Sequence, residues 1–346
     1  MHEDAKLLHD MVSISSESGH EAELASFLVD AMLRRGFSAH VDEAGNAVGE
    51  QGDGPEETLL LGHMDTVPGW IPVRIADGLL YGRGSVDAKG PLAAFICAGT
   101  RVGARVGKRL RIVGAVEEES VSSRGARHLL TGRRPAAVII GEPSGWERIT
   151  IGYKGRLLAH YRVARGMSHT AGMDRGVCED AVAFWQGVNG YAHVYNETHS
   201  RRSETIDVSL RHMHSDSDGL SQQAELTIGI RIPPDLDPAQ AQGAIRQLGD
   251  PGAELNFYGA EYPYRAAKNT RLVAALLSAI RAKGGSPAFS FKTGTSDMNV
   301  VGPAWGCPIA AYGPGDSTLD HTPEEHVSLE EYGRAIDVLT EALGSL

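Results

Sequence analysis

Cysteine is scarce in this chain: Cys97, Cys178 and Cys307 are the only three, and none stands in a Cys-x-x-Cys pair. That excludes a disulfide-framed fold and a thiolate zinc ribbon, and it points to a reducing compartment. An uninterrupted apolar run of about 18 residues, the length a spanning helix needs, is also missing. The N-terminal Met1-His2-Glu3-Asp4 is acidic and opens no apolar stretch, so no signal peptide is expected and a cytoplasmic location is. Basic residues are outnumbered, 33 Lys and Arg against 44 Asp and Glu, which leaves a net charge of −11. A surface of that sign disfavours non-specific binding to nucleic acid. Internal repeats and low-complexity segments are absent as well, which sets aside solenoids and disordered linkers.

What is present is a globular composition with 42 glycines spread singly at turns. A length of 346 residues exceeds what one compact core usually serves and predicts two domains. Ser18, the periodic run Glu21 to Arg35 and the stop at Gly36 predict an early helix. Three short apolar runs read as buried strands: Thr58 to Leu61, Leu110 to Val116 and Ala136 to Ile140. Helical patterns lie between them, from Ala88 to Arg105 and from Ser123 to Leu130. Strands alternating with helices predict an α/β sheet with parallel members.

The middle of the chain has a different texture. Longer strands are expected at Leu157 to Val163, Ile206 to Met213 and Ala224 to Ile232, with helices at Cys178–Tyr195 and Pro238–Leu248. This reads as a separate α+β domain inserted into the first. After it come a strong helix from Asn269 to Lys283, further apolar strands and a final helix from Ser328 to Leu343.

The chemistry sits where the three apolar runs end. The first leads into Gly62-His63-Met64-Asp65, the second into Glu117-Glu118-Glu119, the third into Gly141-Glu142-Pro143. Ligand sites in open α/β sheets lie at the carboxyl ends of strands. Charged groups just beyond a buried strand are costly there unless they are paired or hold a metal. Zinc takes imidazole nitrogen and carboxylate oxygen. A two-metal hydrolytic site, with ions about 3.5–4 Å apart, needs a carboxylate between them. His63, Asp87, the acidic triplet, Glu142 and His321 supply those donor types. Taken singly, each is more often a structural histidine or a solvated acid; their order and context carry the reading.

In that order they resemble the two-zinc metallopeptidases that include acetylornithine deacetylase, succinyl-diaminopimelate desuccinylase, aminoacylase and glutamate carboxypeptidase. The matching segments are Gly62-His63-Met64-Asp65-Thr66-Val67-Pro68, Gly82 to Gly90, Glu117-Glu118-Glu119, Gly141-Glu142-Pro143-Ser144, Ser168-His169-Thr170, Gly294-Thr295-Ser296-Asp297 and Asp320-His321-Thr322-Pro323. The resemblance implies a zinc-exopeptidase-like α/β catalytic domain with a mixed sheet, over residues 1–152 and 263–346. An inserted α+β dimerisation or lid domain would occupy 153–262.

The resemblance also implies roles. His63 and Glu142 would hold one zinc, Glu119 and His321 the other, with Asp87 bridging; cobalt or manganese are the alternatives. Asp65 would orient His63, and Glu118 would be the general base. His169 would stabilise the oxyanion in a neighbouring subunit's site, which implies a homodimer. Arg231, Gly294 and Thr295 would bind a substrate carboxylate. The family usually reads Asp-Glu-Glu where this chain has three glutamates. A second register, with Glu117 as base and Glu118 as ligand, therefore stays open.

A narrower resemblance rests on Val41 to Gly49, Tyr81 to Ala94 and Gly114 to Glu119. These segments are similar to the carrier-protein-lysine hydrolases of lysine biosynthesis, some of which also release ornithine in arginine biosynthesis. The implied substrate is lysine or ornithine linked to the γ-carboxyl of a C-terminal glutamate on a small acidic amino-group carrier protein. The alternatives are a deacylase of small N-acyl amino acids, such as acetylornithine, a dipeptidase, or a non-catalytic relative that only binds.

Overall fold

The computed structural model describes residues 3–104, 107–169, 172 and 174–346. By its contacts the chain divides into two compact units. The first comprises Met1–Gly152, Ala266–Phe291 and Ser296–Leu346; the second comprises Tyr153–Arg265 and Lys292–Thr295.

The first unit is built on a mixed sheet. Its strands run in the spatial order Ser38–Val41, Ala47–Gln51, Lys108–Ala115, Glu56–His63, Ala137–Gly141, Ile309–Ala311 and Arg148–Tyr153. Glu56–His63 pairs in parallel with both Lys108–Ala115 and Ala137–Gly141, and Ile309–Ala311 is parallel to Ala137–Gly141. Ala137–Gly141 is buried at every position, as expected of a parallel strand covered on both faces. The register sets Gly62 beside both Gly114 and Gly141. The three apolar runs therefore end level with one another, and their acidic and histidine residues emerge at one edge.

The helix Lys89–Val102 is buried from Lys89 through Gly99 and packs along these strands, its first turns at their ends. Its close approach depends on glycine. A Cβ at Gly141 would stand 2.8 Å from the Phe95 ring, and one at Gly62 would stand 3.3 Å from Leu92. On its other side this helix packs against Leu329–Ser345 and Glu3–Ser13. Leu60, Ile112, Ile139, Leu92, Phe95, Ile336 and Leu339 belong to one continuous core. Ser328 caps the last helix through Glu331 N–H at 3.3 Å, and Thr270 caps Arg271–Ala282 through Val273 N–H at 3.2 Å. Ser18 does not cap the early helix, which spans Ala22–Arg34 with Glu21 at its N-cap. Its hydroxyl is turned instead to Asp65.

The second unit is a four-stranded antiparallel sheet in the order Asp207–Ser217, Ser221–Ile232, Gly155–Gly166 and Glu254–Glu261. Helices Val177–Asn196 and Pro238–Arg246 supply its core with Val177, Phe184, Ala241 and Ile245, which meet Leu157, Tyr161, Ile228 and Ile230. Tyr161 stacks on Phe184 with ring centroids 4.2 Å apart. Pro238 at the first helical turn and Asp237, which accepts from Ala239 N–H at 2.7 Å, start the second helix. Among the described residues, no helix is long and apolar enough to cross a membrane.

Candidate metal centre

Asp87 stands in the turn just before the buried helix and faces two histidines at once. Its Oδ1 is 3.1 Å from His63 Nε2, and its Oδ2 is 3.2 Å from His321 Nε2. Around this carboxylate the first unit gathers the other predicted donors. Glu142 Oε1 is 4.0 Å from His63 Nε2. Glu119 Oε1 is 2.8 Å from His321 Nε2. Three overlapping groups have ligand atoms within 4.8 Å of one another: His63 with Asp87 and Glu142, Asp87 with Glu119 and His321, and His63 with Glu118 and Glu119. The first two groups share only Asp87.

The acidic triplet splits in direction. Glu117 has a left-handed backbone, φ 58°. Its carboxylate turns to Arg124 Nε at 2.7 Å and accepts from the Ser122 hydroxyl. Glu118 and Glu119 face the histidines instead. Both backbone N–H groups of that pair donate to buried Asp65, Glu118 to Oδ1 and Glu119 to Oδ2, each at 3.0 Å. Asp65 Oδ2 also accepts from Ser18 Oγ at 2.7 Å, and Oδ1 lies 3.4 Å from His63 Nδ1. His63 Nδ1 lies closer still, at 3.0 Å, to the Asp65 backbone carbonyl, so Asp65 holds the His63 ring mainly through its main chain and the Glu118-Glu119 backbone through its carboxylate. His321 also has φ 62°, outside the range most side chains prefer.

The electrostatics test whether a cation fits. Asp87, Glu118, Glu119 and Glu142 converge with two imidazoles to offset them. Burial pushes the Glu118 carboxyl well above the usual range; His63 pulls it down, and Glu119, Glu142 and Asp297 add to the rise. Burial, then Asp87, raises Glu119. Hydrogen bonds to Asp87 and Glu119 lift His321 to about 10. Burial opposes the charged form of His63, yet Asp65 and Asp87 carry it well above its ordinary value. Without cations, then, this cluster draws protons in. Two divalent cations would supply the compensating charge, and an imidazole-carboxylate donor set suits zinc, cobalt or manganese. The residues fit the group.

The remaining predicted residues lie in the second unit. Arg231 and Thr295 are brought together, with Nη1 donating to Oγ1 at 3.1 Å. Arg231 shares a cross-strand row with Asp207, Arg156 and Glu261. Gly294 has open space where a side chain would project. His169 follows the strand Gly155–Gly166 and is exposed; Thr170 of its segment lies outside the described residues.

Two nearby groups were not legible as site residues. Glu325 is buried and accepts from the backbone N–H of Val86 and Asp87 at 3.0 and 3.2 Å. Lys89 is buried, donates to Ile14 O at 2.7 Å, and is pulled down to about 7 by burial against the attraction of Glu325 and Asp65. The only sequence signal for either is position: four residues past His321, and two past Asp87.

Residues 59–345 match Peptidase family M20/M25/M40. The chain belongs to this family. A relative from Deinococcus radiodurans, named LysW-lysine hydrolase, is 51% identical over 99% of this chain and 96% of its own length. A Thermococcus kodakarensis protein, provisionally named LysW-lysine/LysW-ornithine hydrolase, is 39% identical over 99% and 92%. Among solved structures, an M20 family metallo-carboxypeptidase from Sulfolobus solfataricus shares the fold with a TM-score of 0.81, covering 99% of each chain at 19% identity.

Proposed function

We propose that this protein is a two-metal amide hydrolase that releases lysine, and also ornithine, from the γ-carboxyl of the C-terminal glutamate of a small acidic carrier protein. The observation that carries the hydrolytic part is Asp87, whose two oxygens face His63 and His321. The carrier-linked substrate is supported by the named relatives that match along nearly the full chain.

His63, Glu142 and Asp87 would hold one ion, and Glu119, His321 and Asp87 the other, with zinc the preferred metal. Bound there, the ions supply Lewis acidity and lower the pKa of water at the site. Glu118 takes a proton from the attacking water and returns it to the departing lysine amine. Asp65 keeps the His63 ring and the Glu118-Glu119 backbone fixed meanwhile. Arg231 binds a substrate carboxylate through its guanidinium fork, with Thr295 beside it and the Gly294 backbone open to the same group. His169 donates to the oxyanion in the site of a second copy, so the working form is a homodimer. The location is cytoplasmic, with the carrier.

The test is incubation with a synthetic carrier C-terminus bearing γ-linked lysine or ornithine, with release read by mass. Release of either amino acid supports the reading. Turnover of acetylornithine comparable to that of the carrier-linked substrate would favour a small-molecule deacylase instead.

A further inference from the structure

Two ligands of the metal centre, Asp87 and His321, sit on separate turns of the first unit, while His63, Glu119 and Glu142 stand at or just beyond strand ends. Direct bonds between these turns, outside the ligands themselves, run through Glu325 and Arg83. Glu325 is 1% exposed. Its Oε1 accepts from Val86 N–H and Asp87 N–H, and its Oε2 accepts from Arg83 Nη1 at 2.7 Å. Its backbone carbonyl accepts from Gly82 N–H at 3.3 Å. Arg83 then reaches back: Nη1 donates to Thr322 O, the residue after His321, at 3.3 Å, and Nε donates to Gly69 O at 3.1 Å.

This pattern differs from an ordinary buried ion pair. Such a pair is weak evidence for stability, because desolvating both charges offsets most of their attraction. Here one carboxylate oxygen is used wholly on backbone N–H groups, one of them belonging to the residue whose side chain faces both histidines. Two N–H bonds to a charged acceptor fix the Asp87 main chain, and therefore the origin from which its carboxylate reaches His63 and His321. The Arg83 end fixes the other turn. A small displacement of either turn would change both ion positions together.

We infer that Glu325, with Arg83, is a positioning residue of the metal centre: it sets the separation of the Asp87 and His321 turns and thereby the affinity of the site for its ions. The inference rests on the two-metal reading above and names a residue for which that reading has no role. Glu325 is not among the residues whose ligand atoms converge at the centre.

The experiment compares zinc affinity of the full-length protein by competition with a chromophoric chelator, with far-ultraviolet circular dichroism run on each sample. Glu325→Ala removes every side-chain bond and is expected to weaken zinc binding about 10–100-fold, the range typical of residues that orient ligands. Glu325→Gln keeps an oxygen for the two N–H groups and is expected to recover most of the affinity, while losing the charge toward Arg83. Leu276→Ala, in the core helix Arg271–Ala282, serves as a destabilised control away from both turns and is expected to bind zinc as the wild type does. Should Glu325→Ala fail to fold, Glu325→Asp takes its place: its shorter side chain cannot span to both Arg83 and the N–H pair, and it is expected to bind zinc more weakly than Glu325→Gln. Folded Ala or Asp variants that bind zinc like the wild type would overturn the inference, as would an equal loss in Leu276→Ala. A wild-type protein that binds no zinc would instead overturn the two-metal reading itself.

Discussion

Replacing Asp65 with asparagine changes one oxygen to an N–H donor in a fully buried position where the surrounding groups are themselves donors. Asp65 accepts from Glu118 N–H, Glu119 N–H and Ser18 Oγ, and lies against His63 Nδ1. An asparagine keeps one acceptor and points its amide at the other donors. Each hydrogen bond to a charged acceptor contributes about 1.5–3 kcal/mol, and a buried donor left unpaired costs about 1–3 kcal/mol. One bond of the first kind lost and one donor of the second kind created destabilise the apoprotein by about 2.5–6 kcal/mol. Because the same carboxylate holds the Glu118-Glu119 backbone, zinc affinity should fall as well, by about 10–100-fold, while the Asp65 carbonyl at 3.0 Å keeps its hold on His63 Nδ1. Thermal unfolding of the metal-free protein reads the first effect, and chelator competition reads the second. An Asp65→Asn protein that melts with the wild type and competes for zinc equally would refute the reasoning.

Three further outcomes follow from the same geometry. Glu118→Gln should retain zinc and lose turnover by at least about 100–10,000-fold, the usual worth of a general acid-base group; retained activity with bound zinc would remove Glu118 from that role. Chelation should lower the melting temperature, because the convergent carboxylates lose their counter-charge, and added zinc should restore it as ligand binding to the folded state requires; an Asp87→Asn protein should respond far less. Glu57→Gln addresses pH. Burial raises the Glu57 carboxyl above 4.5 in the folded protein, against attraction from Arg111. For an acid so raised, ionisation opposes folding, so stability falls as pH rises from about 4.5 through the folded-state value. The glutamine variant should be more stable than wild type at neutral pH, and the gain should vanish below pH 4.5 in a series of melts; a gain independent of pH would contradict it.

Much of the first unit was legible because its strands are short apolar runs that stop abruptly at charged residues. Thr58 to Leu61 became Glu56–His63, and Ala136 to Ile140 became Ala137–Gly141, with the acids at the expected ends. Elements whose burial depends on tertiary neighbours were not legible. Ser38–Val41 is largely exposed, and the small sheet of Arg74–Ala76, Leu79–Tyr81 and His326–Ser328 joins segments far apart in the chain. The helix Asp297–Trp305 contains Pro303, which a reading by propensity treats as a stop. The register of three consecutive glutamates was assigned only through the resemblance, with a second register left open, because their direction turns on the left-handed backbone at Glu117 and on Arg124. Glu325 carried no signal beyond its position, because one of its oxygens is spent on backbone N–H groups, which every sequence has, and the other on Arg83 far away in the chain.

The two-sided placement of Asp87 has a consequence for how the centre fills. A single carboxylate facing both positions cannot give its full charge to each. With one position occupied, the rotamer of Asp87 would be set and its second oxygen already aimed, so geometry would favour the next arrival while the shared charge would weaken it. A singly loaded protein would therefore be its own species, not the average of empty and full. Partial removal of metal should leave a population whose behaviour cannot be interpolated from the two ends.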